Sequence, residues 1–97
     1  MKILLCCNSG MSSSILVKKM KDAAQIIGED IVIKAIPGSA IGEEVGLWDL
    51  CLVGPQLVYA VSVYQELLNI PVAAIDAKMY SMADGEGIIR FAREILE

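Results

Sequence analysis

The sequence predicts an α/β domain built on a four-stranded parallel sheet with helices on both faces, and two observations carry this prediction. The first is that strand-sized apolar runs alternate along the chain with segments whose apolar residues recur at helical spacing. The second is that hydrophobic residues make up 56% of the chain, which fits a sheet buried on both faces. The strands are predicted at residues 2–6, 31–36, 50–53 and 71–75. We expect residues 1–97 to form a single domain.

The order of these strands follows from their composition. The first and third strands are short and apolar, as central strands are, whereas Lys34 interrupts the second strand and suits a sheet edge. Right-handed crossovers then favour the flavodoxin-like order 2-1-3-4. In that order the ligand crevice lies beyond the carboxyl ends of strands one and three. Cys7 and the segment Gly54–Gln56 follow these ends, so the topology predicts that they lie together.

Helices are predicted between the strands and after the last one. The first runs from about Ser13 to Ile27, and Gly28 follows at the position of a C-terminal cap. The residues predicted to share its buried face are Leu16, Met20, Ala23, Ala24 and Ile27. A further helix after Gln56 is predicted from the helical spacing of Leu57, Ala60, Val61, Tyr64, Leu67 and Leu68. Asp84 is expected to cap a final helix at 85–96.

Two connecting segments carry weaker patterns. Residues 39–47 are expected to be short and weakly helical, with Glu43 and Glu44 exposed. Residues 76–83 are predicted to be a loop between the fourth strand and the final helix.

Charge and residue usage exclude several classes of function. The formal net charge is −4 and no basic run is present, which argues against a nucleic-acid partner. No apolar run approaches the roughly 20 residues that span a bilayer, so we expect no insertion into a membrane. The absence of histidine removes the commonest metal ligand and general base. We therefore expect neither a metal ion nor another cofactor.

Cysteine usage and the N-terminus predict a cytoplasmic location. The chain has three cysteines, an odd number, and none of them forms a CxxC pair, so a disulfide framework is not expected. Met1 and Lys2 lead directly into the first strand without the pattern of a signal peptide.

The segment between the first strand and the first helix has the features of an anion-binding loop. It comprises Asn8, Ser9, Gly10, Met11, Ser12, Ser13 and Ser14. In such a loop successive backbone N–H groups point into one concavity, and the helix dipole adds partial positive charge. Gly10 allows the backbone to approach a bound group closely, and Ser12 or Ser13 can cap the helix.

Cys7 stands at the start of this loop, and we interpret it as a nucleophile that carries a phosphoryl group. A thiol at a helix N-terminus is expected to have a lowered pKa, because the thiolate is favoured there. The same N–H groups could hold the phosphoryl oxygens, and phosphoryl transfer needs mainly positioning and charge stabilisation. Cys6 is expected to pack against a helix, and Cys51 to be an inert core residue.

Three other interpretations remain open from the residues alone. A low-molecular-weight cysteine phosphatase would use a Cys-x5-Arg loop, but Ser13 occupies the arginine position. The arginines are Arg90 and Arg93 on the final helix, and the candidate acids are Asp76 and Asp84. A thiol redox role would need Cys6 and Cys7 to form a strained vicinal disulfide. The third interpretation is that this segment is a plain tight turn with no chemical role.

Three sequence motifs occur in order along essentially the whole chain. They are Cys7-x-x-Gly10-Met11-Ser12-Ser13-Ser14, Leu52-Val53-Gly54-Pro55-Gln56, and Ile75-Asp76-x-x-x-Tyr80 followed by Asp84-Gly85. In these the chain resembles IIB components of the lactose/cellobiose type in the bacterial phosphoenolpyruvate-dependent sugar phosphotransferase system. The pair Asn8-Ser9 departs from the Ser, Ala and Gly more commonly expected there.

The resemblance implies a fold, a reaction and partners. The fold would be the four-stranded sheet predicted above, with a loop shaped like that of low-molecular-weight tyrosine phosphatases. Cys7 would accept a phosphoryl group from a phosphohistidine of a IIA protein and pass it to a sugar, of the β-glucoside or disaccharide class, bound in a membrane IIC permease. Gly54, Pro55, Gln56, Tyr80 and Asp84 would line the crevice or contact partners. Met11 would be an exposed apolar contact for the partner proteins. The protein would be a monomer that visits the inner membrane face transiently.

Overall fold

The structure, a computed structural model, describes residues 1–7 and 10–97, with the side chains of residues 10–13 excepted. Its parallel sheet consists of β1 (Lys2–Cys6), β2 (Val32–Ile36), β3 (Leu50–Val53) and β4 (Val72–Ala74). The strand order is β2-β1-β3-β4, which confirms the predicted order and places the Lys34 strand at an edge. The helices are α1 (Gly10–Ile26), α2 (Val61–Leu68), α3 (Ala77–Ser81) and α4 (Gly85–Leu96), with 3-10 segments at Gly38–Glu44 and Pro55–Ala60.

The register of the two central strands aligns their carboxyl ends. Cys6 of β1 pairs with Val53 of β3, and the Gly54 N–H donates to the Cys6 carbonyl at 3.0 Å. The first residues beyond each strand, Cys7 and Gly54, are therefore held at the same edge of the sheet.

Helices cover both faces of the sheet, as predicted, and each face has its own hydrophobic core. On one face α1 and α4 pack over side chains that include Ile3, Leu5, Cys7, Leu50 and Leu52. On the other face the 3-10 segments and α2 pack over Leu4, Cys6, Ile36, Cys51 and Val53. Because side chains alternate along a strand, the adjacent cysteines Cys6 and Cys7 enter opposite cores.

Helix α1 is longer at its start than the sequence pattern indicated. It begins at Gly10 rather than near Ser13. Leu16, Met20 and Ala24 are buried as predicted, but Ile27 follows the end of the helix and is 39% exposed. The chain turns at Gly28, whose φ of 74° lies in the left-handed region that glycine adopts without strain.

The helix predicted after Gln56 is divided in two. Pro55–Ala60 forms a 3-10 segment, and the α-helical part begins only at Val61. Leu57 has non-helical backbone angles inside the 3-10 segment, and the residue is buried in the core with 3% of it exposed. Of the last two residues in the predicted helical repeat, Leu68 is buried and Leu67 is 45% exposed.

The structure corrects the prediction that Glu44, in the connection after β2, is exposed. It is only 6% exposed and accepts hydrogen bonds from Trp48 Nε1 at 2.8 Å and from Lys34 Nζ at 3.0 Å. Glu43 is exposed as expected. The carboxylate of Glu44 thus ties the 3-10 segment to the edge strand β2.

The segment 76–83 is not a loop, which corrects another prediction. It contains the short helix α3, whose N-terminus is capped by Asp76 accepting from Lys78 N at 3.0 Å and Met79 N at 3.2 Å. Asp84 caps α4 by accepting from Gly87 N at 3.0 Å, as predicted. In the part of the chain that the structure describes, no helix is both long and apolar enough to cross a membrane.

Candidate active site

Cys7 lies immediately beyond the carboxyl end of β1. Its backbone N–H donates to the Ile36 carbonyl of β2 at 3.2 Å, which extends the sheet pairing by one residue and fixes where the side chain emerges. The side chain is only 3% exposed and packs in the core beneath α1 and α4. The thiol is thus held on the sheet edge that faces the start of α1.

Two groups from other elements lie beside Cys7. The Tyr80 side chain, on α3, packs against the core that contains Cys7, and Gly54, which follows β3, is bonded to the carbonyl of the preceding residue, Cys6. The Tyr80 ring also lies over Gly54, since a Cβ built on Gly54 would be 3.5 Å and 3.6 Å from ring atoms Cε1 and Cζ. Cys7, Gly54 and Tyr80 therefore meet at one point, although they are far apart in sequence.

An open groove of about 370 Å³ adjoins this point. Its lining residues are Ile15, Gln56, Tyr80, Ser81 and Ala83. Tyr80 lines the groove and also packs against the core that contains Cys7. The groove therefore lies close to the end of β1.

The segment after β3 forms one side of this region, as the topology predicted. Gly54 is buried, Pro55 is half-buried and Gln56 is exposed. Gln56 folds back over Gly54, because its Oε1 would lie 2.7 Å from a Cβ at that position. A side chain at position 54 would meet both Gln56 and Tyr80, so glycine permits their close approach.

Burial raises the pKa of the Cys7 thiol above its ordinary value, while the hydrogen bonds from Tyr80 and Gly54 act in the opposite direction. The described surroundings therefore raise this pKa overall, and the expected lowering by the helix start stays a prediction. Desolvation of the charged form outweighs the contacts that stabilise it. The two hydrogen bonds are the described features that favour the thiolate.

The other two cysteines have surroundings that suit inert residues. Burial raises the pKa of Cys51 to about 12, and this side chain is fully enclosed in the middle of β3. Burial also raises the pKa of Cys6, which lies in the opposite core and forms a hydrogen bond with Tyr64. The separation of Cys6 and Cys7 onto two faces weakens the thiol redox alternative.

The groups that a cysteine phosphatase would need are placed elsewhere. Arg93 lies 3.9 Å from Glu29 and lines a cavity with Met1, at the opposite end of the five-residue strand β1 from Cys7. Arg90 is exposed and pairs with Glu86 on its own helix. Asp76 and Asp84, the candidate acids, are each engaged as helix caps. For Asp84 the structure shows a capping role and no place among the groove residues.

The predicted anion-binding loop falls largely outside the described residues. This applies to Asn8 and Ser9, and to the side chains of Met11, Ser12 and Ser13, whereas Gly10 is the first residue of α1. Ser14 is exposed on the first turns of α1. Among the residues that the structure describes, no group of three or more His, Cys, Asp or Glu side chains is arranged to hold a metal ion.

Three groove residues were not predicted from the sequence: Ile15, Ser81 and Ala83. Ser81 and Ala83 lie in the segment predicted to be a loop, where Ser81 is the last residue of α3 and Ala83 follows that helix. The N-cap pattern of Asp76 followed by Lys78 and Met79 was the available signal for that helix.

Comparison with known proteins gives a consistent result. Residues 2–91 match the family described as the lactose/cellobiose-specific IIB subunit of the PTS system. An oligo-beta-mannoside-specific EIIB component of Bacillus subtilis is 46% identical, over 88% of this chain and 85% of that protein. Galactose-specific and cellobiose-specific EIIB components of Lactococcus lactis are each 31% identical, over 97% of this chain and 94% of theirs.

Solved structures support the same assignment. A cellobiose-specific IIB component of Borrelia burgdorferi superposes with a TM-score of 0.79 at 29% identity, covering 99% of this chain and 91% of that one. The lactose-specific IIB domain of Streptococcus pneumoniae has the same fold, with a TM-score of 0.84 at 20% identity over 100% and 98% of the two chains. The sequence match and the fold agree that this chain belongs to the lactose/cellobiose-specific IIB subunits of the phosphoenolpyruvate:carbohydrate phosphotransferase system.

Proposed function

We propose that this protein is a phosphocarrier in which Cys7 carries the phosphoryl group. It accepts the group from a phosphohistidine of a IIA protein and passes it to a sugar bound in a IIC permease. The observation that carries this proposal is the position of Cys7, which lies at the end of a central strand, before the start of α1 and beside Gly54 at the end of β3. Family membership supports the same role.

The chemistry consists of two transfers at sulfur. In the first, the Cys7 thiolate attacks phosphorus, an S–P bond forms, and the N–P bond to histidine breaks with the electron pair leaving on the imidazole. In the second, a sugar hydroxyl oxygen attacks phosphorus, an O–P bond forms, and the S–P bond breaks to regenerate the thiolate. The hydroxyl proton passes to a base on the permease or to solvent. Both steps depend on stabilising negative charge at the sulfur and on the phosphoryl oxygens.

The loop from Asn8 to Ser14 is proposed to hold the phosphoryl oxygens through backbone N–H groups. Its support is the start of α1 at Gly10, three residues after Cys7, because a helix N-terminus favours an anion. Gly54, Pro55 and Gln56 are proposed to form the other wall of the crevice. Arg90 and Arg93 have no part in this arrangement, and a carrier without an arginine clamp would protect its intermediate from hydrolysis.

The sugar is proposed to belong to the β-linked disaccharide class, including β-glucosides. This rests on relatives that are named for oligo-beta-mannoside and cellobiose, while another is named for galactose. The permease would bind the sugar and select it. We further propose that residues 1–97 act as one monomeric IIB domain, in the cytoplasm and transiently at the inner membrane face.

A reconstituted transfer assay tests this function. Phosphoenolpyruvate, the general phosphotransfer proteins, a IIA protein and membranes containing the IIC permease are combined with the wild type or a variant, and sugar phosphate is measured. We expect Cys7→Ser to abolish product while its circular dichroism spectrum and melting temperature stay near those of the wild type.

Cys6→Ser is the matched control, because it changes the adjacent thiol on the opposite face of the sheet. Scaled to the amount of folded protein, it is expected to retain transfer. Product formation by Cys7→Ser at the wild-type rate would refute the role of Cys7. Hydrolysis of an aryl phosphate by the wild type, with no sugar phosphate formed, would instead support the phosphatase alternative.

A further inference from the structure

Cys7 and Gly54 occupy equivalent positions at the ends of two neighbouring strands. Cys6 of β1 pairs with Val53 of β3, and Gly54 keeps an extended backbone with φ −63° and ψ 158°. Val53 lies in the core opposite to that of Cys7, and side chains alternate along a strand, so positions 7 and 54 point to the same face. The space above Gly54 thus lies beside the Cys7 side chain, at about the 4.8 Å spacing of neighbouring strands.

The side-chain amide of Gln56 occupies that space. Its Oε1 would lie 2.7 Å from a Cβ built on Gly54, and the Tyr80 ring atoms Cε1 and Cζ would lie at 3.5 Å and 3.6 Å. Tyr80 packs against the core that contains Cys7, which independently places this space on the Cys7 face. Gln56 is exposed and lines the groove together with Tyr80. Gln56 therefore extends from the groove to the position beside Cys7.

The Gln56 amide has hydrogen-bond donors to offer a ligand. Its Nε2 carries two N–H groups, and among the residues that the structure describes none forms a hydrogen bond with this amide. A neutral amide can donate to a phosphoryl oxygen without adding the positive charge of an arginine clamp. This chemistry suits a carrier, which must hold the phosphoryl group and then release it.

We propose that Gln56 is a binding residue for the phosphoryl group on Cys7, and that its side-chain N–H groups donate to a phosphoryl oxygen while the S–P bond forms and breaks. This rests on the proposed phosphocarrier function. Gln56 keeps its protons throughout, so the balance of each transfer is unchanged. Gly54 acts as a positioning residue, because the absence of a Cβ there leaves room for the amide.

The first test measures charging of the protein by a phosphorylated IIA protein, followed by intact mass. Gln56→Met keeps a side chain of similar length over Gly54 but has no N–H group. We expect it to charge about tenfold more slowly, the effect of losing one hydrogen bond to a charged group. Gln56→Glu should charge more slowly still, because a carboxylate repels the phosphoryl oxygens.

Gln65→Met and Gln65→Glu are the matched controls, since they make the same chemical changes elsewhere. Gln65 is exposed on α2 and lines a separate cavity with Ile70 and Pro71. Ile70 and Pro71 precede β4, so this cavity lies at the opposite edge of the parallel sheet from Cys7. Both control variants are expected to charge at the wild-type rate.

A second test needs no partner protein and so separates binding of an anion from docking of IIA. Cys7 is alkylated with iodoacetate or with iodoacetamide, which differ by a carboxylate, and Cys7→Ser gives the background from the other thiols. The ratio of the two rates cancels any change in the thiolate fraction. We expect Gln56→Met to lower the iodoacetate to iodoacetamide ratio about three- to tenfold, and Gln56→Glu to lower it further.

Gly54→Ala tests the same geometry with the Gln56 side chain intact. The φ of −63° suits alanine, and the new Cβ would displace the flexible end of Gln56 while staying at ordinary contact distance from Tyr80. Gly54→Ala should therefore lower the alkylation ratio as Gln56→Met does. The double variant should lower it no further, because both changes remove one contact. Gly54→Ala also decides the proposal if Gln56→Met does not fold.

The proposal is overturned if Gln56→Met keeps the wild-type alkylation ratio, or if Gln65→Met lowers that ratio equally. Slow charging with an unchanged ratio would make Gln56 a docking contact for IIA instead. Charging of Gln56→Met at the wild-type rate also overturns the proposal, although the phosphocarrier function then stands. If the wild type takes up no phosphoryl group, the proposed function fails and the transfer role of Gln56 fails with it, whereas the ratio still decides whether the amide binds an anion beside Cys7.

Discussion

At the scale of single residues, the site depends on a competition around one sulfur atom. Burial of Cys7 disfavours its thiolate, and the hydrogen bonds from Tyr80 and Gly54 favour it. Because burial prevails, the described surroundings hold Cys7 mostly as a thiol at neutral pH. Contact with a partner protein at the groove would further change its solvation. The reactivity of this protein is therefore expected to depend strongly on pH and on partners.

The first residue-scale prediction concerns the pH dependence of Cys7 in the wild type. A raised pKa means that the thiolate fraction increases as pH rises through a value above that of an ordinary cysteine. Alkylation of Cys7, corrected for the Cys7→Ser background, should therefore still be accelerating where an unhindered cysteine peptide has reached its plateau. A plateau at lower pH than that of the peptide would contradict this reading and would indicate a dominant contribution from the loop.

A second residue-scale prediction concerns the buried carboxylate of Glu44. Hydrogen bonds from Trp48 and Lys34 hold the pKa of Glu44 below its ordinary value of 4.5. A lowered folded pKa contributes stability that is present above the unfolded value and is lost as pH falls through the folded value. Glu44→Gln should thus lower the free energy of unfolding at neutral pH. The free energy of unfolding of this variant should also fall less than that of the wild type as the pH is lowered.

Glu43→Gln is the matched control, since Glu43 is the exposed neighbour in the same 3-10 segment. Urea unfolding at pH 7 and at several acid values measures both variants. An equal response to the two substitutions would show that the contacts of Glu44 do not stabilise the fold.

At the scale of elements, the close packing of α1 against α4 depends on a glycine. A Cβ on Gly85 would overlap the backbone carbonyl of Lys19 and would lie 2.8 Å from the N atom of Met20. Both obstacles are backbone atoms of α1, which cannot move aside as the end of a side chain can. Since α1 begins next to the loop after Cys7, this packing also sets the position of the helix start.

Gly85→Ala is therefore predicted to destabilise the protein by about 1–3 kcal/mol, because α4 must move away from α1. Gly42→Ala is the control, since a Cβ at Gly42 would meet no atom within 4 Å and should change stability little. Thermal unfolding followed by circular dichroism compares them. A melting temperature for Gly85→Ala equal to that of Gly42→Ala would mean that α1 and α4 can move apart without loss of stability.

Elements with strong periodicity could be predicted from the sequence, and those fixed by tertiary contacts could not. The four strands follow short apolar runs, and α4 follows the helical spacing of its apolar residues and the capping by Asp84. Helix α3 has only five residues and is held by its Asp76 cap and its place beside α4, so its composition resembled a loop. The burial of Glu44 could not be predicted from its neighbours in sequence, because its partner Lys34 lies on another element.

At the scale of the whole molecule, the strand order of the sheet determines which residues lie at the candidate site. The order β2-β1-β3-β4 brings the ends of β1 and β3 together, and this alone was enough to place Cys7 beside Gly54 from the sequence. The resemblance implied a place for Tyr80 at the crevice, but the residues alone could not predict it, because it depends on the short helix α3. Cys6, one residue before Cys7, is directed into the other core, against which Tyr64 packs.

This arrangement makes the location of the phosphoryl group the central claim. The most direct measurement is intact-mass analysis of the wild type, Cys7→Ser and Cys6→Ser after incubation with phosphoenolpyruvate, the general phosphotransfer proteins and a IIA protein. We predict a gain of one phosphoryl group by the wild type and by Cys6→Ser, and none by Cys7→Ser. A phosphoryl group retained by Cys7→Ser, or absent from the wild type with an active IIA protein, would contradict the account.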